Sequence, residues 1–178
     1  LKQIQNTHRP GILALLELSN LTAADVNSES VNFLLAPRLN ALGRMGSAVD
    51  GVELLVTNDW KRANEIAIMA DNANKERKYL QTKILREIEK NIALEPELAD
   101  APALVFWEKD WHRGVIGILA ARLSDRYQRP SFVISVDGEG RAYGSARSPD
   151  GFHVARELAQ LSHLLKGHGG HANAGGFS

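Results

Sequence analysis

Apolar residues recur at three- or four-residue spacing from Ile66 through Ala70, Ala73, Leu80, Ile84 and Ile88 to Ile92, with charges between them. Arg77 alone breaks the stripe. This period predicts one amphipathic helix from Asp59 to about Leu94, capped by Asn58 or Asp59 and stopped by Pro96. At 1.5 Å per residue such a helix is about 50 Å long, more than one small domain needs. It is therefore expected to bridge two domains; a coiled-coil arm is the alternative. Upstream, the apolar pattern comes in shorter pieces: a helix over Pro10–Leu18, a helix start at Thr22–Asp25, and a candidate helix over Val49–Val56. The run Val31–Ala36 is stopped by Pro37, and Arg38–Arg44, two arginines and an asparagine among leucines, reads as a loop.

Beyond a linker at Pro96–Pro102 the period changes. Ala103–Trp107 reads as a buried strand, Val115–Tyr127 as a helix and Ser131–Val136 as a second strand. Strand, helix and strand with short joins make a βαβ unit, hence a parallel pair with a right-handed crossover. Asp137–Gly140 is a hairpin-type turn into a third strand, Arg141–Arg147, and Val154–Leu165 is a further helix. A segment with five glycines in ten residues follows, Gly167–Gly176, where the domain stops just as another strand is due.

Composition changes this picture little. The chain has 178 residues, 44% hydrophobic and 24% charged, enough apolar material for a core. No apolar run approaches the roughly 18 residues a membrane span requires. There is no signal-peptide pattern and no initiator methionine, so a piece of a longer protein is expected. The absence of cysteine excludes disulfides, thiolate metal sites and cysteine nucleophiles, and suits a reducing compartment. Formal net charge is zero, so any nucleic acid must be held in a defined cleft and not by a general basic field.

Four clusters carry candidate chemistry. Glycines in Gly167–Gly176 expose backbone N–H groups and tolerate unusual backbone angles, so the segment suits a phosphate; a tight packing turn is the alternative. Gly167–Ala172 formally reads G-x-G-x-x-A but follows a helix, which argues against a dinucleotide fold, and no Lys-Ser/Thr pair follows to make a P-loop. His168 and His171 lack a nearby carboxylate to complete a metal site. In Gly144-Ser145-Ala146-Arg147-Ser148, strand alternation places Ser145 and Arg147 on one face, which small neighbours leave open. A hydroxyl beside a guanidinium fork suits phosphate, though a surface strand would look the same. Trp111-His112-Arg113-Gly114 opens a helix whose N-terminal N–H groups could meet an anion, or Trp111 could simply pack over that start. Gly117 within the helix suggests close backbone approach. Arg38, Asn40 and Arg44 could face an anion from the other domain, or brace a domain surface.

Together, Ala36–Met45, Trp111–Leu123, Gly144–Ser148 and Gly169-Gly170-His171, in this order, resemble the RecJ exonucleases of the DHH phosphoesterase superfamily. The resemblance runs from about Pro10 to the end of the chain. It implies an α/β architecture: the helical tail of a DHH domain over residues 1–58, a connecting helix over 59–95, and a small mixed-sheet DHHA1 domain over 96–178, truncated at its last strand. It further implies a bacterial, cytoplasmic, metal-dependent exodeoxyribonuclease that degrades single-stranded DNA from 5′ to 3′ in repair and recombination.

The resemblance assigns manganese or magnesium to aspartates and histidines of the preceding DHH domain. No Asp-His-His or Asp-x-Asp occurs here. The chain is therefore expected to bind no metal, to hydrolyse nothing alone, and to lack both the N-terminal DHH domain and a C-terminal OB-fold. Its implied partner is single-stranded DNA with a 5′ phosphate. Implied contacts are Ser145 and Arg147 on that phosphate, assisted by Arg38 or Arg44 with Asn40; Gly169, Gly170 and His171 lie against it, and His112 is a further candidate. Ala146 stands where relatives often carry glycine, which removes no phosphate-binding group. Two rivals remain: a DHH–DHHA1 phosphodiesterase acting on short oligonucleotides or cyclic-dinucleotide products, and an inactive homologue serving as a replication scaffold.

Overall fold

The computed structural model describes Leu1–Ser178, the side chain of Ala99 excepted. The chain divides into two compact units, Leu1–Tyr79 and Leu80–Ser178. The first is helical: α1 (Lys2–Gln5), α2 (Pro10–Leu18), a 3-10 turn at Ala23–Asp25, α3 (Ser28–Ser30), a π-helical turn at Val31–Leu35, α4 (Ala36–Met45), α5 (Ala48–Val56) and the first half of α6 (Trp60–Leu94). The expected helix start at Thr22–Asp25 is thus a single 3-10 turn. The core joins Leu15 and Leu16 of α2, Leu42 of α4, Leu54 of α5, and Ala63, Ile66, Ala67 and Ala70 of α6. Alanines on α6 let its neighbours pack close.

The segment Arg38–Arg44, read as a loop, is helix α4. Pro37 does not stop the chain. It occupies one of the first two positions of α4, where a missing N–H costs no hydrogen bond. The wider π turn before it, closed by the Ala36 N–H on the Val31 carbonyl, makes room for the ring.

Helix α6 appears as its period predicts, 35 residues long. Asp59 caps it, its Oδ1 accepting from the N–H groups of Lys61 (2.8 Å) and Arg62 (3.3 Å). In the second unit its residues Ile84, Leu85, Ile88 and Ile92 are buried. Across the expected linker lies one short helix, α7 (Glu97–Asp100).

The second unit continues with β1 (Leu104–Lys109), α8 (Arg113–Tyr127), β2 (Ser131–Val136), β3 (Ala142–Arg147), α9 (Val154–Gln160), a 3-10 turn at Ser162–Leu164, β4 (His168–Gly170) and β5 (Ala174–Phe177). The expected helix Val154–Leu165 therefore ends one turn early. One mixed sheet runs in the order β1-β2-β3-β5-β4. β1 and β2 are parallel, as the βαβ reading requires, and the other pairs are antiparallel. The β2–β3 turn is pinned by Asp137, whose Oδ1 accepts from the N–H groups of Glu139 and Arg141, both at 3.0 Å. The glycine segment, expected to precede a strand, itself forms β4 and β5. Helix α9 covers one face, with Val154 and Leu158 packed on Ala146 and partly buried Phe132 and Phe177; α8 packs on β2 and β3 from the opposite face.

Candidate phosphate-binding face

Register decides which residues share a face. Ser145 pairs with Gly176, and Gly176 with Gly169, so these three form one row across β3, β5 and β4. Arg147 pairs with Ala174 in the next row on the same face. Gly169 and Gly176 are exposed, and a Cβ added at Gly169 would meet nothing within 4 Å. Beside Ser145 and Arg147 the sheet therefore presents bare backbone, a floor that a ligand can approach closely.

The face is not open along its whole length. Ser145 and Arg147 are half-buried beside α8, where a Cβ added at Gly117 would lie 3.0 Å from Ser145 Oγ. The sequence reading of a face left open by small neighbours is corrected to a half-covered one: the same small residues admit a helix. Arg147 Nη1 donates to Ser145 Oγ at 3.2 Å and to the Ala146 carbonyl at 2.8 Å. Hydroxyl and guanidinium thus form a local pair, and such a pair is suited to a phosphate oxygen through charge-assisted hydrogen bonds.

Gly170 lies on the opposite face, in the row of Gly175 and Ala146. Its φ of +151° and the approach an added Cβ would make to the Ala174 oxygen (2.3 Å) and Gly175 Cα (2.6 Å) account for glycine there. His171 opens the tight turn between β4 and β5. Its N–H donates to the Ala174 carbonyl (2.7 Å), its carbonyl accepts from Ala155 N–H (3.2 Å), and its side chain is exposed. Gly170 and His171 shape the hairpin; Gly169 supplies its bare surface.

His112 is the N-cap of α8, its Nδ1 accepting from Gly114 N–H at 3.0 Å. Trp111 is buried beneath, and its indole N–H donates to Glu87 at 3.0 Å. The packing account of this tryptophan is the one the structure shows. Arg113 stacks on Tyr143, 3.2 Å from the ring centroid, and bonds Asp137 at 3.0 Å. Hydrogen bonds from Arg141, its side chain first, and from Glu139 hold the Asp137 carboxyl below its usual range.

The residues Arg38, Asn40 and Arg44 all lie on α4. Arg38 Nε is paired with Asp71 at 2.8 Å, and its Nη1 donates to the Leu34 carbonyl at 2.8 Å. Asn40 is exposed, two residues on, which puts it about 200° around the helix from Arg38. Arg44 is exposed and close enough to Arg77 for its charge, after burial, to lower the Arg77 pKa. A helix cannot aim Arg38 and Asn40 at one anion.

Two residues of the face escaped the sequence reading as site members. Gly176 required the register to be known, since Gly175 and Gly176 are alike in sequence yet face opposite ways. Gly117 suggested close backbone approach, but not which residues it approaches. Among the described residues there is no group of three or more His, Asp or Glu side chains that could hold a metal ion, and His168 and His171 are both exposed. The residues present do not fit a metal centre.

The family model of the DHHA1 domain matches residues 100–178. The chain is 38% identical over 179 residues to the single-stranded-DNA-specific exonuclease RecJ of Bacillus subtilis, covering 100% of this chain and 22% of that protein. To the RecJ of Haemophilus influenzae it is 37% identical over 187 residues, covering 100% of this chain and 32% of that protein. The crystal structure of RecJ in complex with Mn2+ from Thermus thermophilus superposes with a TM-score of 0.83 at 29% identity, over 99% of this chain and 25% of that one. A crystal structure of exonuclease RecJ bound to manganese gives a TM-score of 0.83 at 29% identity, over 99% of this chain and 43% of that one. The chain thus spans between about a fifth and a third of the length of these curated relatives. By sequence along its whole length and by fold, it belongs to the RecJ family of the DHH/DHHA1 phosphoesterase superfamily.

Proposed function

We propose that this chain forms the substrate-binding wall of a single-strand-specific 5′→3′ DNA exonuclease acting in repair and recombination. The observation that carries the reading is the row Ser145–Gly176–Gly169 with Arg147 beside it. It pairs a cation and a hydroxyl with a floor free of side chains. The 5′-terminal phosphate lies on this floor, bonded by Ser145 Oγ and the Arg147 guanidinium, while absent side chains at 169 and 176 let it approach the backbone. The hairpin turn of Gly170 and His171 fixes the floor, and the cap formed by His112 fixes the start of the covering helix.

Single-stranded DNA is the substrate named for the relatives, and manganese and magnesium are the ions of the solved RecJ complexes. In our reading those ions belong to a preceding DHH domain, which supplies the attacking water, and an OB-fold follows. Domain limits are read as 1–58, 59–95 and 96–178, and the cellular setting as the bacterial cytoplasm. No described helix is long and apolar enough to cross a membrane. On the α4 side, Arg38 or Arg44, with Asn40, is read as a second DNA contact.

The test compares binding of 5′-phosphorylated and 5′-hydroxyl strands by the full-length protein. Arg147→Ala should weaken binding of the phosphorylated strand by about 1.5–3 kcal/mol and leave the hydroxyl strand nearly unchanged. Equal losses on both strands would defeat the phosphate-anchor role.

A further inference from the structure

Glycine is the poorest helix former after proline, yet Gly117 stands inside α8, one turn beyond its first residue, Arg113. A Cβ placed there would lie 3.0 Å from Ser145 Oγ, 3.5 Å from Arg147 Nη2 and 3.7 Å from Ser145 Cβ. The atoms that crowd position 117 are those of the hydroxyl–guanidinium pair. The other glycines of the face differ: a Cβ at Gly169 would touch nothing, and at Gly176 only the Gly144 carbonyl, at 3.8 Å.

We propose that Gly117 is a positioning residue for the phosphate site. Its missing side chain lets the α8 backbone press on β3, and this contact holds Ser145 Oγ where Arg147 Nη1 can donate to it at 3.2 Å. A methyl group at 117 requires a neighbour to give by a few tenths of an ångström, and the nearest atom is the Ser145 hydroxyl, the end of a side chain on a strand paired on both sides. In the proposal it is this hydroxyl that gives. Its bond with Arg147 is already 3.2 Å long, and the displacement weakens it, so the two groups no longer meet an anion as a pair. The inference rests on the phosphate reading given above.

The helix itself gains from alanine at 117, so the substitution should not act through unfolding. The experiment uses the full-length protein and oligothymidylate with either a 5′ phosphate or a 5′ hydroxyl, and it reads the ratio of the two affinities. Gly117→Ala should lower the ratio about tenfold, with the thermal midpoint unchanged within a few degrees. In a Ser145→Ala background the same change should add little, because the atom it strikes is gone; coupling of this kind marks residues in contact. A wild-type ratio for Gly117→Ala, with the ratio lost in Ser145→Ala, would overturn the positioning role and leave the phosphate site standing. An unchanged ratio in both Ser145→Ala and Arg147→Ala would overturn the phosphate reading and this inference with it. Should Gly117→Ala fail to fold, the double variant decides. If it folds and matches Ser145→Ala, the role holds; if it too fails to fold, Gly117 serves packing alone and the role falls.

Discussion

Ser145 and Arg147 sit two positions apart on one strand, and that spacing alone put them on a common face. What it could not say was how much of the face is covered. That depends on Gly117, whose effect is felt across the gap between helix and strand. At the same scale, Arg38 shows how an arginine that looks available in sequence can be committed in the fold. It and Asp71 are largely buried, with side-chain exposures of 15% and 14%. Lys75 first, then Arg38, holds the Asp71 carboxyl below its ordinary range, against the burial that would raise it. A depressed carboxylate stabilises the fold above the ordinary pKa and stops doing so as pH falls through its lowered value. Asp71→Asn should therefore cost about 1.5–3 kcal/mol at pH 7. The gap between variant and parent should close as pH drops below about 4. Denaturant titrations over that range would measure it.

At the scale of elements, α6 and the βαβ unit were legible because period and β-branched content state them directly. Two elements were not. Helix α4 carries, at one of its first two positions, a proline that would end a helix already under way, and a π turn at Val31–Leu35 precedes it. Strands β4 and β5 are built largely from glycine, which has no strand preference of its own; the pairing of β5 with β3 and of β4 with β5 imposes the conformation. Close packing of elements makes its own prediction. In α2, Gly11 lies so near α5 that an added Cβ would stand 1.7 Å from the Leu54 carbonyl oxygen. Backbone must move to admit it, so Gly11→Ala should destabilise the helical unit, at the upper end of about 1–3 kcal/mol, in a chemical denaturation curve.

For the molecule as a whole, zero net charge argues against a general affinity for polyanions, and in the proposed reading recognition falls to the face of Ser145 and Arg147 on the sheet. Among the described residues there is no group of three or more His, Asp or Glu that could hold a metal ion. In the proposed reading, hydrolysis assisted by divalent ions is carried out by residues outside this chain. The 178-residue chain by itself should leave 5′-phosphorylated single-stranded DNA intact in the presence of manganese; single-turnover digestion would contradict this. The candidate site was half legible from sequence. The hydroxyl–guanidinium pair follows from strand alternation, but whether Gly169 or Gly170 joins it depends on a register that glycines do not encode.

The central claim is that Ser145, Arg147 and the Gly169–Gly176 floor receive a terminal phosphate. Amide chemical shifts of this chain, followed while a 5′-phosphorylated dinucleotide is added, test it most directly. The account predicts saturable shifts concentrated at Ser145, Arg147, Gly169 and Gly176, and far weaker ones with the 5′-hydroxyl dinucleotide. Shifts confined to other surfaces, or identical for the two dinucleotides, would contradict it.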